Sequence, residues 1–285
     1  MKSPYRRSGQ KDGAQHPASP SGPDGSAPKP FKDKSRFAAK PKKEKPRPPD
    51  DCDVLYGIHS VLEALSNPQR KHHRLLATEN GLLRLSEDLA LPIEADVVKP
   101  DAINALLPPD AVHQGVYLET FRLPLLRLNA IPQDRIIVAL DQVTDPHNVG
   151  AIMRSAAAFG VGALLTTFRN SPDVSGVVAK AASGALEHVP IVGVTNLGRA
   201  LTDLRDEGFL IIGLDSEAPE EIHDVTLRLP LVLVLGAEGK GLRQSTRALC
   251  DHLARLELPG AIRSLNVSNA AAISLYAVTR GLKPA

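Results

Sequence analysis

Three stretches of this chain hold more hydrogen-bonding groups than a loop needs to connect two elements. They are LDQVTDPHNVGAIMRSAAAFG (Leu140–Gly160), LVLGAEGKGLR (Leu233–Arg243) and LPGAIRSLNVSNAAAISLYAVTR (Leu258–Arg280). In the first, Asn148 stands where a helix begins and can cap it, and Arg154 puts a permanent cation on that helix. In the second, Glu238 is a carboxylate at the end of an apolar run, among glycines that let a backbone approach a ligand closely. Taken alone, it reads equally well as a Gly-rich turn with an exposed Glu. In the third, Arg263, Ser264, Asn266, Ser268 and Asn269 crowd the entrance of an apolar helix for which one cap would suffice. A mononucleotide loop is excluded: Gly236 and Gly241 are five apart, but Leu242 stands where that motif needs Lys, and no Ser or Thr follows to hold magnesium. No G-x-G-x-x-G follows the first strand of the alternating region, which argues against a dinucleotide oxidoreductase. His59, His113 and His147 have no metal-ligand spacing with acidic or Cys partners, so no metal site is expected. His59 and His113 read as supports of the first folded segment; His147, beside Asn148, reads first as bland and only second as a ligand contact.

The elements that must position these groups form a regular alternation from Arg135 onward. RIIVALDQV, VGALLTT, VPIVGV, FLIIGLD, LVLVLG and LARLEL read as strands. Between them NVGAIMRSAAAFG, VSGVVAKAASGAL, Leu197–Asp206 and Leu242–Leu249 read as helices, and the third stretch supplies the last one. Gly160 suits the position after a helix end. Near-continuous apolar strands separated by helices predict an α/β fold with a mostly parallel sheet covered on both faces. Ligands of such sheets bind beyond the carboxyl ends of the strands, where the three polar stretches fall.

Before this region, residues 53–122 read as a smaller α/β unit. A strand at Val54–Tyr56 leads into a helix carrying Ile58, Val61, Leu62 and Leu65 at helical spacing, stopped by Asn67-Pro68. A strand (HRLLAT), a helix around Gly81–Leu89, a strand around Ile93–Val97, a helix after Pro100 and a closing strand over His113–Phe121 complete it. Residues 123–134 read as a linker. Residues 1–50 differ in kind, with ten prolines, 13 Lys/Arg and 5 Asp/Glu, whereas the rest of the chain carries a net −6. Such a segment buries too little apolar surface to offset its ordering entropy and is expected to be disordered. Its basic run suits contact with phosphates, or mere solubilisation. The two cysteines, Cys52 and Cys250, could form one disulfide, but nothing suggests a disulfide framework, and a reducing compartment is the simpler reading. No secretory leader or membrane-length apolar run is visible, and a cytoplasmic protein is expected.

Together the three stretches resemble the three motifs of the SpoU (TrmH) family of RNA 2′-O-ribose methyltransferases in the SPOUT superfamily. Asp145, Pro146, Asn148, Gly150 and Arg154 carry the first motif, Gly236, Glu238, Gly239 and Gly241 the second, and Ser264, Leu265, Asn266, Val267 and Ser268 the third. YGIHSVLEAL and HQGV look like the small ribosomal-protein-like substrate-binding domain of the bacterial 23S rRNA members, so the resemblance covers everything but the tail. It implies a methyltransferase domain over 135–285, a C-terminal trefoil knot, a homodimer, S-adenosyl-L-methionine as cofactor and no metal. It further implies methylation of a ribose, expected to be that of a guanosine, in 23S rRNA; the same chemistry on tRNA, or a silent RNA-binding assembly factor, are the alternatives. Asn148, Arg154, Glu238, Ser264 and Asn266 are the implied catalytic set. Gly236, Leu256, Ile262 and Leu265 are the implied cofactor contacts. Arg154 is read either as an electrostatic stabiliser of the attacking oxygen or as a base. LELPGAIR and Asn269 depart from the usual family pattern without removing a catalytic group.

Overall fold

The computed structural model describes residues 48–49, 51–167, 178, 181–182, 184–262 and 264–282. The tail, most of the helix expected over VSGVVAKAASGAL, and Arg263 lie outside the described residues. The first segment runs β1 (Cys52–Tyr56), α1 (Ile58–Ser66), β2 (His72–Ala77), α2 (Glu79–Asp88), β3 (Ala95–Val97), α3 (Pro100–Asn104) and β4 (Val116–Phe121). Its sheet has the order β1-β4-β2-β3, antiparallel except for β2 with β3. Thr78 caps α2 by accepting from the Gly81 N–H, and Asn67 ends α1 in extended backbone just before Pro68.

The second segment runs β5 (Ile136–Asp141), α4 (Pro146–Ala158), β6 (Ala163–Thr167), β7 (Ile191–Val194), α5 (Leu197–Asp206), β8 (Leu210–Leu214), β9 (Glu220–Glu221), β10 (Leu231–Gly236), α6 (Gln244–Arg247), β11 (His252–Arg255) and α7 (Val267–Gly281). The seven strands lie in the order β7-β6-β5-β10-β8-β11-β9, and every pairing is parallel. Both faces are buried, as an all-parallel sheet requires. Ile136, Val138 and Leu140 of β5 enter one apolar cluster, while Ile137 and Ala139 enter the other. The first cluster continues without a break into Leu55, Ile58, Val61 and Leu75 of the first segment.

The strand order reverses at β5 and β10. From β5 the chain moves outward to β6 and β7, then returns to lay β8, β10 and β11 on the other side. Gly236 at the end of β10 sits in register with Asp141 at the end of β5. The loops leaving these two strands therefore flank the switch point of the sheet, the usual place for a ligand crevice. The last helix, α7, packs against α4. No helix among the described residues is long and apolar enough to cross a membrane.

Candidate active site

Each of the three polar stretches is held by its own local chemistry. Asp145, not Asn148, caps α4: its Oδ1 accepts from the His147 N–H at 3.0 Å, and Pro146 occupies the first turn. This corrects the sequence expectation and leaves the Asn148 side chain available for other partners. Asn148 is buried, donates to Asp145 Oδ2 at 3.2 Å and accepts at its own Oδ1.

The loop after β10 folds back on itself. The Gly241 N–H donates to the Ala237 carbonyl at 2.8 Å, with Gly239 and Gly241 in the left-handed region at φ 73° and 63°. Gly236 is needed for another reason, since a Cβ there would stand 2.2 Å from the Gly241 carbonyl carbon. The return is clamped by Asp141, whose fully buried carboxylate accepts from the Arg243 backbone N–H at 3.0 Å and from its Nε at 2.6 Å. Sequence reading missed this clamp. Its signal was a carboxylate ending an otherwise apolar strand, which must find donors when buried.

Asn266 caps α7: its Oδ1 accepts from the Ser268 N–H at 2.9 Å and the Ser268 hydroxyl at 2.6 Å. Its Nδ2 donates to Asn148 Oδ1 at 3.0 Å and to Glu238 Oε1 at 2.5 Å. All four of its hydrogen-bonding positions are taken. The amide orientation is fixed by charge, because a flipped Asn266 would aim its oxygen at the Glu238 carboxylate. One residue from each polar stretch thus meets at a single point.

That point lies between two cavities. The larger, of about 810 Å³, is lined by the loops after β8, β10 and β11, including Gly236, Glu238, Leu256, Ser264, Leu265 and Asn266. Asp215, Glu217 and Leu258 also face it and were not singled out from sequence. Asp215 is held by Arg247 at 2.5 Å and by the Glu217 N–H at 2.9 Å. The smaller cavity, of about 370 Å³, opens on the other side of Glu238 and Asn148, with Gln142, Thr144 and Lys240 on its walls. Gln142 adopts a left-handed backbone, φ 64°, uncommon for a residue with a side chain.

Two expected residues stand apart. Ile262 is 74% exposed and does not line the cavity. Arg154 is exposed and has no hydrogen-bond or ion-pair partner among the described residues. It lies six residues beyond Asn148, about 9 Å along the helix and roughly 240° around it, so it faces away from the meeting point within one chain. Ser268 completes the α7 cap, and Asn269 is exposed. His113 is structural: its Nδ1 accepts from the Gly115 N–H and its Nε2 pairs with Asn104. No cluster that could hold a metal ion occurs among the described residues. Both cysteines are free thiols.

Comparison with known proteins gives the family and the fold. Residues 135–276 match the model of the SpoU rRNA Methylase family, and residues 54–125 match that of the RNA 2′-O ribose methyltransferase substrate binding domain. The 23S rRNA (guanosine-2′-O-)-methyltransferase RlmB of Pseudomonas aeruginosa is 36% identical over 81% of this chain and 98% of its own. RlmB of Coxiella burnetii is 38% identical over 79% and 94%. Among solved structures, the SpoU methyltransferase AviRb from Streptomyces viridochromogenes, in complex with the cofactor AdoMet, aligns with a TM-score of 0.69 at 25% identity, covering 81% of this chain and 90% of that one. With three motif loops converging on one point, and relatives matched over most of its length, this chain belongs to the SpoU rRNA methylase family.

Proposed function

We propose that this protein transfers a methyl group from S-adenosyl-L-methionine to the ribose 2′-hydroxyl of a guanosine in 23S rRNA, acting in the cytoplasm as a homodimer. The observation that carries the proposal is the meeting of Asn148, Glu238 and Asn266 on the wall shared by two cavities. Both cavities fall in the size range of small-molecule sites. The larger suits a nucleoside cation: Leu235, Leu256, Leu258 and Leu265 offer flat apolar walls, and Asp215, Glu217 and Glu238 offer carboxylates. When bound, S-adenosylmethionine supplies an already activated methyl, so the reaction needs no metal. Gly236 and the folded-back loop expose backbone groups to a ligand in this cavity. Glu217 is placed to accept from ribose hydroxyls and Glu238 to face positive charge. The smaller cavity takes the acceptor nucleoside.

The chain's own task is to align the acceptor oxygen and stabilise its growing negative charge. Alignment of this kind contributes as much as about 7–11 kcal/mol in favourable cases. The Asn148–Asn266–Glu238 set fixes the wall past which the acceptor must approach. Arg154 stabilises the developing alkoxide and grips the adjacent phosphate; a guanidinium holds its proton too tightly to be a good base. Arg154 reaches the site across a dimer contact, and its exposure away from Asn148 supports this. So does exposed apolar surface on α7, which packs against α4: Ile273 and Tyr276 are 46% and 58% exposed, and Tyr276 stacks edge-on against Phe159, just past the end of α4. The trefoil knot is part of the same proposal, supported by the return of α7 onto α4 after β11. Residues 53–122 bind RNA, 123–134 link, 135–285 catalyse, and the basic tail adds phosphate contacts.

Radiolabelled methyl transfer from S-adenosylmethionine to a 23S rRNA transcript tests the reading. Label in one 2′-O-methylguanosine is expected, and Arg154→Ala is expected to abolish it while leaving cofactor affinity within several-fold. Near-normal turnover by Arg154→Ala removes that residue from the mechanism.

A further inference from the structure

The two family-matched segments meet at a seam that holds a buried ion network. Arg70 follows the turn that ends α1, and its side chain is 1% exposed. Its guanidinium grips Glu187 in a fork: Nη2 donates to Oε1 at 2.8 Å, and Nε lies 3.1 Å from both oxygens. Glu187, 3% exposed, closes a short helical turn over Ala185–Glu187 in the methyltransferase segment. Asn67 adds a second grip on Glu187, donating from Nδ2 to Oε2 at 2.7 Å. The remaining face of Arg70 is taken within the first segment, by the Phe121 carbonyl at 3.0 Å and Asp53 of β1 at 3.7 Å. Beside the network the seam opens into a cleft. A cavity of about 460 Å³ lies there, with Asn67, Arg122 and Leu125 on one side and Thr166, Val189 and Ile191 on the other.

A buried ion pair is weak evidence for stability, because desolvation offsets much of the attraction. What a planar fork provides is geometry, since guanidinium and carboxylate meet well in one relative pose. The apolar packing that runs through both segments, and the surface pair Glu63–His188 at 2.9 Å, join them without fixing an angle; the fork is directional. We propose that Asp53, Arg70 and Glu187 form a latch holding the RNA-binding segment in one pose against the methyltransferase segment of the same chain, which makes Arg70 and Glu187 positioning residues for the acceptor nucleotide. The functional half of this inference rests on the methyltransferase reading above. A fixed pose sets the distance between gripped RNA and pocket, which raises the effective concentration of the target ribose.

The test pairs a distance readout with kinetics on the full chain. Leu83→Cys and Glu207→Cys place exposed labelling sites in the two segments. Burial pushes the native Cys52 thiol up and the Cys250 thiol up to about 12, so labelling near neutral pH selects the introduced sites. The double variant Arg70→Met/Glu187→Leu replaces both ions of the fork by apolar groups, and Asp53 keeps its ion pair with Arg122 Nε at 3.0 Å; Glu187→Gln keeps the shape and weakens the fork. Single-molecule energy transfer is expected to be one narrow population in the parent, broad in the double variant and intermediate in Glu187→Gln. The KM for a 23S rRNA fragment is expected to rise about tenfold in the double variant, with kcat and S-adenosylmethionine affinity held within twofold. A narrow distribution with unchanged KM in either folded variant overturns the latch. Absence of methyl transfer by the parent overturns the methyltransferase reading instead, and the energy-transfer arm still decides the latch.

Discussion

Asn266 uses every polar atom it has. Its oxygen closes the first turn of α7, and its two amide hydrogens reach Asn148 and Glu238. Asn266→Asp is therefore expected to be far worse than its near-identical shape suggests. It keeps an acceptor for Ser268 but sets a second carboxylate against Glu238, forcing the wall apart. A displacement of 1 Å there is expected to lower kcat by about 100-fold, with circular dichroism unchanged; wild-type turnover would remove the triad from the mechanism. The site was legible in sequence where a polar type stood in excess of structural need, as at Glu238 and Asn266. Asn148 was located but given the wrong structural duty, because Asp145 and Asn148 are both capping types three residues apart. Pro146, suited to the first helical position, decides for Asp145. Arg243 was not legible: an arginine after a Gly-rich run reads as solvated unless its buried partner, 102 positions away, is known.

At the scale of elements, the loop after β10 is a device for bringing Glu238 to the wall. Gly236→Ala would drive a Cβ into the backbone of Gly241 and Leu242, at 2.2 and 2.4 Å. The expected cost is about 1–3 kcal/mol in stability, read as a lower denaturant midpoint, together with loss of cofactor binding by calorimetry. Gly239→Ala meets nothing within 4 Å and strains only the backbone, φ 73°, so its effect on stability is expected to be smaller. Equal effects would mean that the close approach at Gly236 is relieved by a small shift of the loop. Periodicity located the strands of the parallel sheet to within a few residues, and Leu197–Asp206 and Leu231–Gly236 to their ends. It overran at the helix after the Gly-rich loop, which spans only Gln244–Arg247, and at β11, which ends at Arg255 where its ladders to β8 and β9 run out. The two-residue β9 has no period to detect.

For the molecule as a whole, sequence pattern predicted one parallel sheet but not its order. The insertion of β10 between β5 and β8 brings the first and second polar stretches together, and strand neighbours across long separations leave no mark on local periodicity. The expected knot belongs to threading, which periodicity does not report either. The basic tail carries its own prediction: removing residues 1–50 should leave the cooperative unfolding of the body intact and flatten the salt dependence of RNA binding, each lost contact lowering the log–log slope by about 0.7–0.9. An unchanged slope would make the tail a solubiliser. The central claim is that these three loops methylate one ribose of the large ribosomal RNA. Its most direct test is a transcriptome-wide map of 2′-O-methylation in a strain deleted for this gene. Loss of one 2′-O-methylguanosine from 23S rRNA, restored by the intact gene but not by one carrying Arg154→Ala, is the predicted result. An unchanged ribosomal map, or a methyl lost from tRNA instead, would contradict it.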